Sequence, residues 1–137
     1  MKVYIASPYE RKATINRQIY EELTRANIEA FLPEKININT SLEKTKEQYK
    51  VGDICYDEIE KCDIILGVWE FGRSVSAEIG SVILKNRKEK KEIKVVIFDT
   101  KDKDIDILKN EVMIWPFVDR KVESISELID YLTNLGD

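Results

Sequence analysis

Apolar positions along the chain fall into two rhythms. Residues Lys2–Ala6 (KVYIA) form a short β-branched and aromatic run that Ser7-Pro8 must end, because proline cannot donate to a central ladder. Over residues 13–26, Ile15, Ile19, Leu23 and Ala26 recur at the three-to-four spacing of an amphipathic helix. Residues 28–32 then read as extended, with Pro33 as the stop. The polar stretch 34–46 has no period and predicts a loop over the top of the sheet, and a helix follows over about residues 45–61.

The second half repeats the alternation. Residues 63–68 are almost continuously apolar, as in a central parallel strand covered on both faces. Trp69-Glu70-Phe71-Gly72-Arg73 makes a turn into a helix that Ser74 or Ser76 can cap, with Ala77, Val82 and Leu84 among its apolar positions and a charged exit over residues 85–94. Lys94–Asp99 reads as another buried strand, residues 112–118 as a strand near the edge because of Pro116, and residues 125–135 as a closing amphipathic helix. Strands alternating with helices imply an α/β three-layer sandwich, flavodoxin-like or Rossmann-like, with a five-stranded parallel sheet in the order 2-1-3-4-5. At 137 residues one domain is expected.

In such a sheet, ligands sit beyond the carboxyl ends of the strands where the winding reverses, between strands one and three. That edge is made from residues 7–12 and 69–78, which places Ser7, Trp69 and Glu78 at it. Glu78 is unusual there, an acid in the opening turns of an otherwise apolar helix. It is either a charge serving the helix dipole or a group doing chemistry. A carboxylate kept ionised by a nearby helix terminus and stripped of water suits nucleophilic attack on a glycosyl centre. Tyr4 is either a core aromatic or a hydroxyl presented to the same pocket.

Composition narrows the chemistry. The chain has no histidine, which removes the commonest general base and any Ser-His or Cys-His pair, so carboxylates, tyrosines or backbone groups must move protons. Two cysteines without CxxC spacing, and no HExxH or DxDxDG pattern, give no metal site, and no metal is expected. Cys55 and Cys62 share a helix face but lie too far apart along it for a disulfide, and read as two buried small residues. A net charge of -4 argues against nucleic-acid binding, the longest apolar runs are too short for a bilayer, and the N-terminus lacks a signal-peptide pattern. A small-molecule ligand and a cytoplasmic setting are the expectation.

Three blocks in order, KVYIASP, EKCDIILGVW and SAEIGSVILKN, resemble the nucleoside 2-deoxyribosyltransferase family over residues 2–98. The resemblance implies that Glu78 is the nucleophile that displaces the base and holds the sugar as a glycosyl ester, with Tyr4 beside it hydrogen-bonding or positioning the carboxylate. It also implies a nucleoside or nucleotide substrate, no cofactor, and a homodimer or larger assembly in which a neighbour's loop completes each pocket.

Two positions depart from the family pattern. Counting eight back from Asp63, where the family has an Asp or Asn that handles the base, this chain has Cys55, flanked by Asp53 and Asp57, neither in register. Six before the nucleophile, where the transferases have a second aspartate, it has Gly72. The related nucleoside 5'-monophosphate N-glycosidases place small and hydroxyl residues there to receive a phosphate. Gly72, Arg73, Ser74 and Ser76 at a helix start offer a comparable anion site, or else a cap and a solvated charge.

Trp69 and Phe71 offer either a stacking partner for a base or lid packing, and Asp63 reads as a strand-entrance anchor. Two enzymatic readings compete, sugar transfer between bases and nucleotide hydrolysis. The rival of another class is a flavodoxin-like or TIR-like module that senses a nucleotide without turnover.

Overall fold

Residues 1–33 and 46–136 are described by the computed structural model, without the side chains of residues 9–11 and 46–48. The chain runs β1 (Lys2–Ala6), α1 (Tyr9–Arg25), β2 (Glu29–Phe31), α2 (Lys46–Lys61), β3 (Ile64–Trp69) and α3 (Arg73–Glu89). It continues with β4 (Lys94–Asp99), α4 (Asp106–Lys109), a 3-10 turn (Trp115–Phe117), β5 (Arg120–Val122) and α5 (Ile125–Gly136). All strand pairs are parallel and the order is β2-β1-β3-β4-β5, as the alternating pattern predicts. The loop expected over residues 34–46 lies outside the described residues except for Lys46, which opens α2.

Strand alternation sorts the core into two layers. Tyr4, Ala6, Ile65, Val95 and Ile97 pack under α2 and α3, whereas Val3, Ile5, Leu66, Val96 and Phe98 pack under α1 and α5. Every residue of β3 is buried, the signature of a strand covered on both faces. At the amino-terminal edge Asp63 binds β1 twice: its Oδ2 accepts from the Lys2 N–H at 2.8 Å and its own N–H donates to Lys2 O at 2.9 Å. Asp63 O also accepts from the Lys94 N–H, so this residue holds the entrances of β1, β3 and β4 in register.

Gly67 sets how closely β3 and α3 approach. A Cβ there would stand 2.9 Å from Ile79 Cδ1 and 3.2 Å from Ile97 Cδ1, so its absence lets α3 settle close onto β3.

Several expectations need correction. Residues 112–118 are not a strand: Pro116 lies in the 3-10 turn, and Val112 and Met113 point outward, each 75% exposed. Pro116 has no N–H for a ladder, and the edge is taken instead by Arg120–Val122. Asp119 sets that pairing, its carboxylate accepting from Val95 N–H while its own N–H donates to Val95 O. Helix α1 begins at Tyr9 rather than Ala13, through a non-helical Lys12 that the apolar period could not register. In α3, Ala77 and Leu84 lie outside the buried stripe, which is Val75, Ile79, Val82 and Ile83. Neither Ser74 nor Ser76 caps this helix. Its N-cap is Gly72, and the Ser76 hydroxyl turns back to donate to Gly72 O at 2.8 Å.

Candidate active site

Because β1 and β3 are paired as Tyr4↔Ile65 and Ala6↔Gly67, the Tyr4 side chain projects from the face covered by α2 and α3. Its ring is fully buried and stacks on Phe31, with centroids 5.5 Å apart and planes at 22°. Only its hydroxyl has chemistry left to do. Glu78 lies in the second turn of α3, and the close seat of that helix on Gly67 brings its carboxylate down to β1, where the Tyr4 O–H donates to Glu78 Oε2. Tyr4 is therefore both of the things its sequence context allowed, a core aromatic and a polar handle.

Burial pushes the Glu78 carboxyl up to about 7 from its ordinary 4.5, against the Tyr4 hydrogen bond, which pulls it down. The helix terminus, expected to keep this carboxylate ionised, is outweighed by desolvation. Tyr4 is pushed upward by burial, then by the Glu78 charge and hydrogen bond, so it stays a neutral donor.

The third member of the cluster is Cys55. It is half-buried on α2, against the core that contains Tyr4, and its thiol lies beside the Tyr4 hydroxyl. Burial raises its pKa most; the Tyr4 hydrogen bond lowers it and the Glu78 and Glu58 charges raise it. Helical geometry explains why Cys55 and not its acidic neighbours arrives here. Cys55 and Ile59 are one turn apart on the stripe facing the sheet, whereas Asp53 and Asp57 are about 200° round the helix and are exposed. The count back from Asp63 lands on this residue; a helical-wheel reading of α2 would have turned it inward. Cys62, one residue past α2, is fully buried, its S–H donating to Ile59 O at 3.0 Å.

Around this cluster the remaining candidates are distributed unevenly. Ser7 follows β1, and its Oγ is buried with no hydrogen-bond partner among the described residues. Arg73 and Ser74 are exposed at the start of α3, next to Gly72, and no side chain caps the first amides. Trp69 is 5% exposed, meets Phe71 edge-to-face at 5.2 Å, and donates its indole N–H to Lys103 O at 3.1 Å. Both aromatic rings line an open, mostly apolar cavity of about 870 Å³ between α3 and the α4 region, to which Ser76 and Ile83 also contribute. Glu78 is not among its lining residues.

On the other side of the sheet's carboxyl edge, Lys12 is 8% exposed and reaches Asp102 and the Thr100 hydroxyl, while Thr100 Oγ1 donates to Trp69 O at 2.6 Å. Among the described residues no three His, Cys, Asp or Glu side chains converge as metal ligands, and no helix is long and apolar enough to cross a membrane.

No protein-family model matches the chain, and no curated protein matches it in sequence. Solved structures do match in shape. A 2-deoxyribosyltransferase from Bacillus psychrosaccharolyticus superposes with a TM-score of 0.73 at 19% identity, covering 96% of this chain and 92% of its own. A conserved protein from Enterococcus faecalis V583 superposes with a TM-score of 0.67 at 18% identity, covering 98% of each chain. The resemblance to the nucleoside 2-deoxyribosyltransferase family drawn from three short sequence blocks is thus met by the fold: the chain has the flavodoxin-like α/β architecture of a 2-deoxyribosyltransferase over almost its whole length.

Proposed function

We propose that the protein is a nucleoside 2-deoxyribosyltransferase-like enzyme that breaks the N-glycosidic bond of a nucleoside and passes the sugar to another base. The observation that carries this reading is the half-buried, desolvated Glu78 carboxylate with Tyr4 as its hydrogen-bond donor, at the carboxyl edge of the sheet where the strand order reverses. In the first step a Glu78 oxygen bonds to the sugar C1' as the C1'–N bond breaks, and the base leaves with the electron pair and takes up a proton from water. In the second step the nitrogen of an incoming base, giving up its proton, attacks C1'; the ester C–O bond breaks and Glu78 returns as a carboxylate. Desolvation makes the carboxylate a better nucleophile, and Tyr4 fixes its direction. Ser7, Trp69, Gly72, Arg73, Ser74 and Ser76 remain candidates for holding substrate, whereas Asp53 and Asp57 face away from Glu78; no cofactor takes part, and the active form is a homo-oligomer.

Incubation with a deoxynucleoside and a second free base tests the reaction, with exchange expected in wild type and lost in Glu78→Gln. A 2-fluoro-substituted nucleoside should leave its sugar on the peptide containing Glu78. Absence of both exchange and adduct would remove the proposal.

A second reading, hydrolysis of nucleoside 5'-monophosphates, is supported by one feature: an uncapped α3 start with Arg73 and Ser74 exposed and Gly72 where a second acid could stand. Water would then attack C1' of the ester. Release of ribose 5-phosphate or its deoxy form, with no exchange, is the outcome that selects it.

A further inference from the structure

Nine large apolar side chains are exposed among the described residues, and five of them, Leu84, Ile107, Val112, Met113 and Phe117, border the same cavity of about 870 Å³ between α3 and the α4 region. Scattered singly, such side chains mean little; gathered on one face they mark a surface that another molecule covers. Two of the five decide what covers it. Val112 and Met113 stand outward on the turn after α4, each 75% exposed, so a small molecule lodged in the cavity would leave both in water. A partner must bring a hollow for them, and the chain itself carries one beside them, lined by Trp69 and Phe71. A projection and a hollow on one face are what a two-fold interface requires, because both copies present the same patch.

The charges on this face fit the same partner. They are Glu70, Arg87 and Glu111, a mixture that suits neither nucleic acid nor an anionic membrane. Among the described residues neither Arg87 nor Glu111 forms an ion pair, although both border the cavity. Turning one copy about a two-fold axis offers each of them the opposite charge.

We propose that this face is the two-fold interface of a homodimer: Val112 and Met113 of each copy seat in the other's cavity, and Arg87 of each copy pairs with Glu111 of the partner subunit. This face gives the homo-oligomer of the proposed function its contact, and it can be tested without the sugar chemistry. It also fixes what the partner does not do. On α3 the cavity is bordered by Ser76, Gly80, Leu84 and Arg87, a stripe about 180° round the helix from Glu78. A copy seated there covers the turn after β3 and leaves the Glu78 flank open to substrate.

Sedimentation velocity over a concentration series reads the dimer directly, with circular dichroism to show that each variant is folded. Met113→Glu, which drives a charge into the partner's hollow, should weaken dimerisation by about thirtyfold. Tyr49→Glu, at an exposed position on α2 away from this face, should not weaken it. Arg87→Glu and Glu111→Arg should each weaken it by about tenfold, since like charges then face one another twice. Mixed in equal amounts, those two variants should form a heterodimer close to wild-type strength, because both pairs are again opposite in sign.

A wild type that stays monomeric overturns the inference, and uptake of the dye anilinonaphthalene sulfonate by that monomer would assign the cavity to a small molecule instead. So does a dimer as tight in Met113→Glu as in wild type, a dimer lost in Tyr49→Glu, or a mixture of the charge variants that associates no better than either alone. If dimerisation behaves as expected but wild-type protein exchanges no bases, the interface stands and the proposed reaction is what fails.

Discussion

Two carboxylates flank the same edge of the sheet and receive opposite treatment. Asp102 is largely exposed, paired with Lys12, and held below its ordinary range by that cation. Glu78 is half-buried, has a tyrosine hydroxyl instead of a cation, and is raised to about 7 by desolvation. The first is what stability asks of an acid: its charge stays in water with a partner. The second costs stability, and an acid placed so is expected where a reactive carboxylate is required. The difference lies in the elements that carry them. Asp102 is on the open connection after β4, free to meet solvent, whereas Glu78 rides on a helix packed tightly against a strand that contains a glycine.

The sharpest way to break this comparison is to remove the Glu78 charge while keeping its shape. A carboxyl whose folded pKa lies above its unfolded one gives full stability below the unfolded value and loses it as pH rises through the folded one. For Glu78 that window runs from about 4.5 to about 7. Glu78→Gln, which retains an oxygen to accept from Tyr4, should therefore unfold like wild type near pH 4 and be more stable than wild type above pH 7 by about 3 kcal/mol. Denaturant melts across that range measure it, and identical curves at pH 8 would show that the carboxylate is not desolvated. For Asp102 the sign is reversed: its contribution is present above 3.8 and is lost as pH falls through the lowered value.

Next in size is the loss of the hydroxyl that Glu78 relies on. Tyr4→Phe removes a hydrogen bond to a charged group, worth about 2 kcal/mol or roughly thirtyfold in rate. It also removes a hydrogen bond that pulls the Glu78 pKa down. Wild-type base exchange should rise with pH along a limb near 7, and in Tyr4→Phe that limb should move to higher pH. A wild-type limb near 4.5 would contradict the burial argument; a limb that stays put in Tyr4→Phe would contradict the hydrogen bond.

How much of this was written in the sequence divides along the same line. The parallel sheet and its order are legible because IILGVW and KVVIFD are short, β-branched apolar runs alternating with helical periods, and the Glu78 edge follows from topology. The β5 register was not, because an apolar run over residues 112–115 looks like a strand until Pro116 diverts it and Asp119 supplies a better start for pairing. Counting back from Asp63 reaches Cys55 only as a gap in a pattern, since its packing against the Tyr4 side of the core is a tertiary fact. The raised Glu78 pKa was invisible too: the helix terminus argues for ionisation, and only the packed structure shows that burial wins.

Gly67 tests whether tight seating of α3 is what separates the two acids. An added methyl would press on the ends of Ile79 and Ile97 and on Phe71 Cε1 at 3.3 Å, all side-chain atoms with some room to turn. Gly67→Ala should cost about 1 kcal/mol in denaturant unfolding and lift α3 slightly from β3. The carboxylate would then be better hydrated, and the acid limb of base exchange should move toward 4.5. A loss of stability with no change in that limb would mean that Glu78 owes its burial to α2 and not to the seat of its own helix.

The smallest effect belongs to the exposed acid. Asp102→Asn leaves Lys12 its hydrogen bond to Thr100 at 3.1 Å, and the neutral side chain can still accept from the Lys12 ammonium. Unfolding at neutral pH and the pH profile of exchange should both stay close to wild type. Because Thr100 also ties to Trp69 O, a large change in exchange would mean that the Lys12 side of the edge shapes the substrate pocket through the end of β3. The contrast between a solvated acid and a desolvated one proposed as the nucleophile would then have to be redrawn as one continuous site.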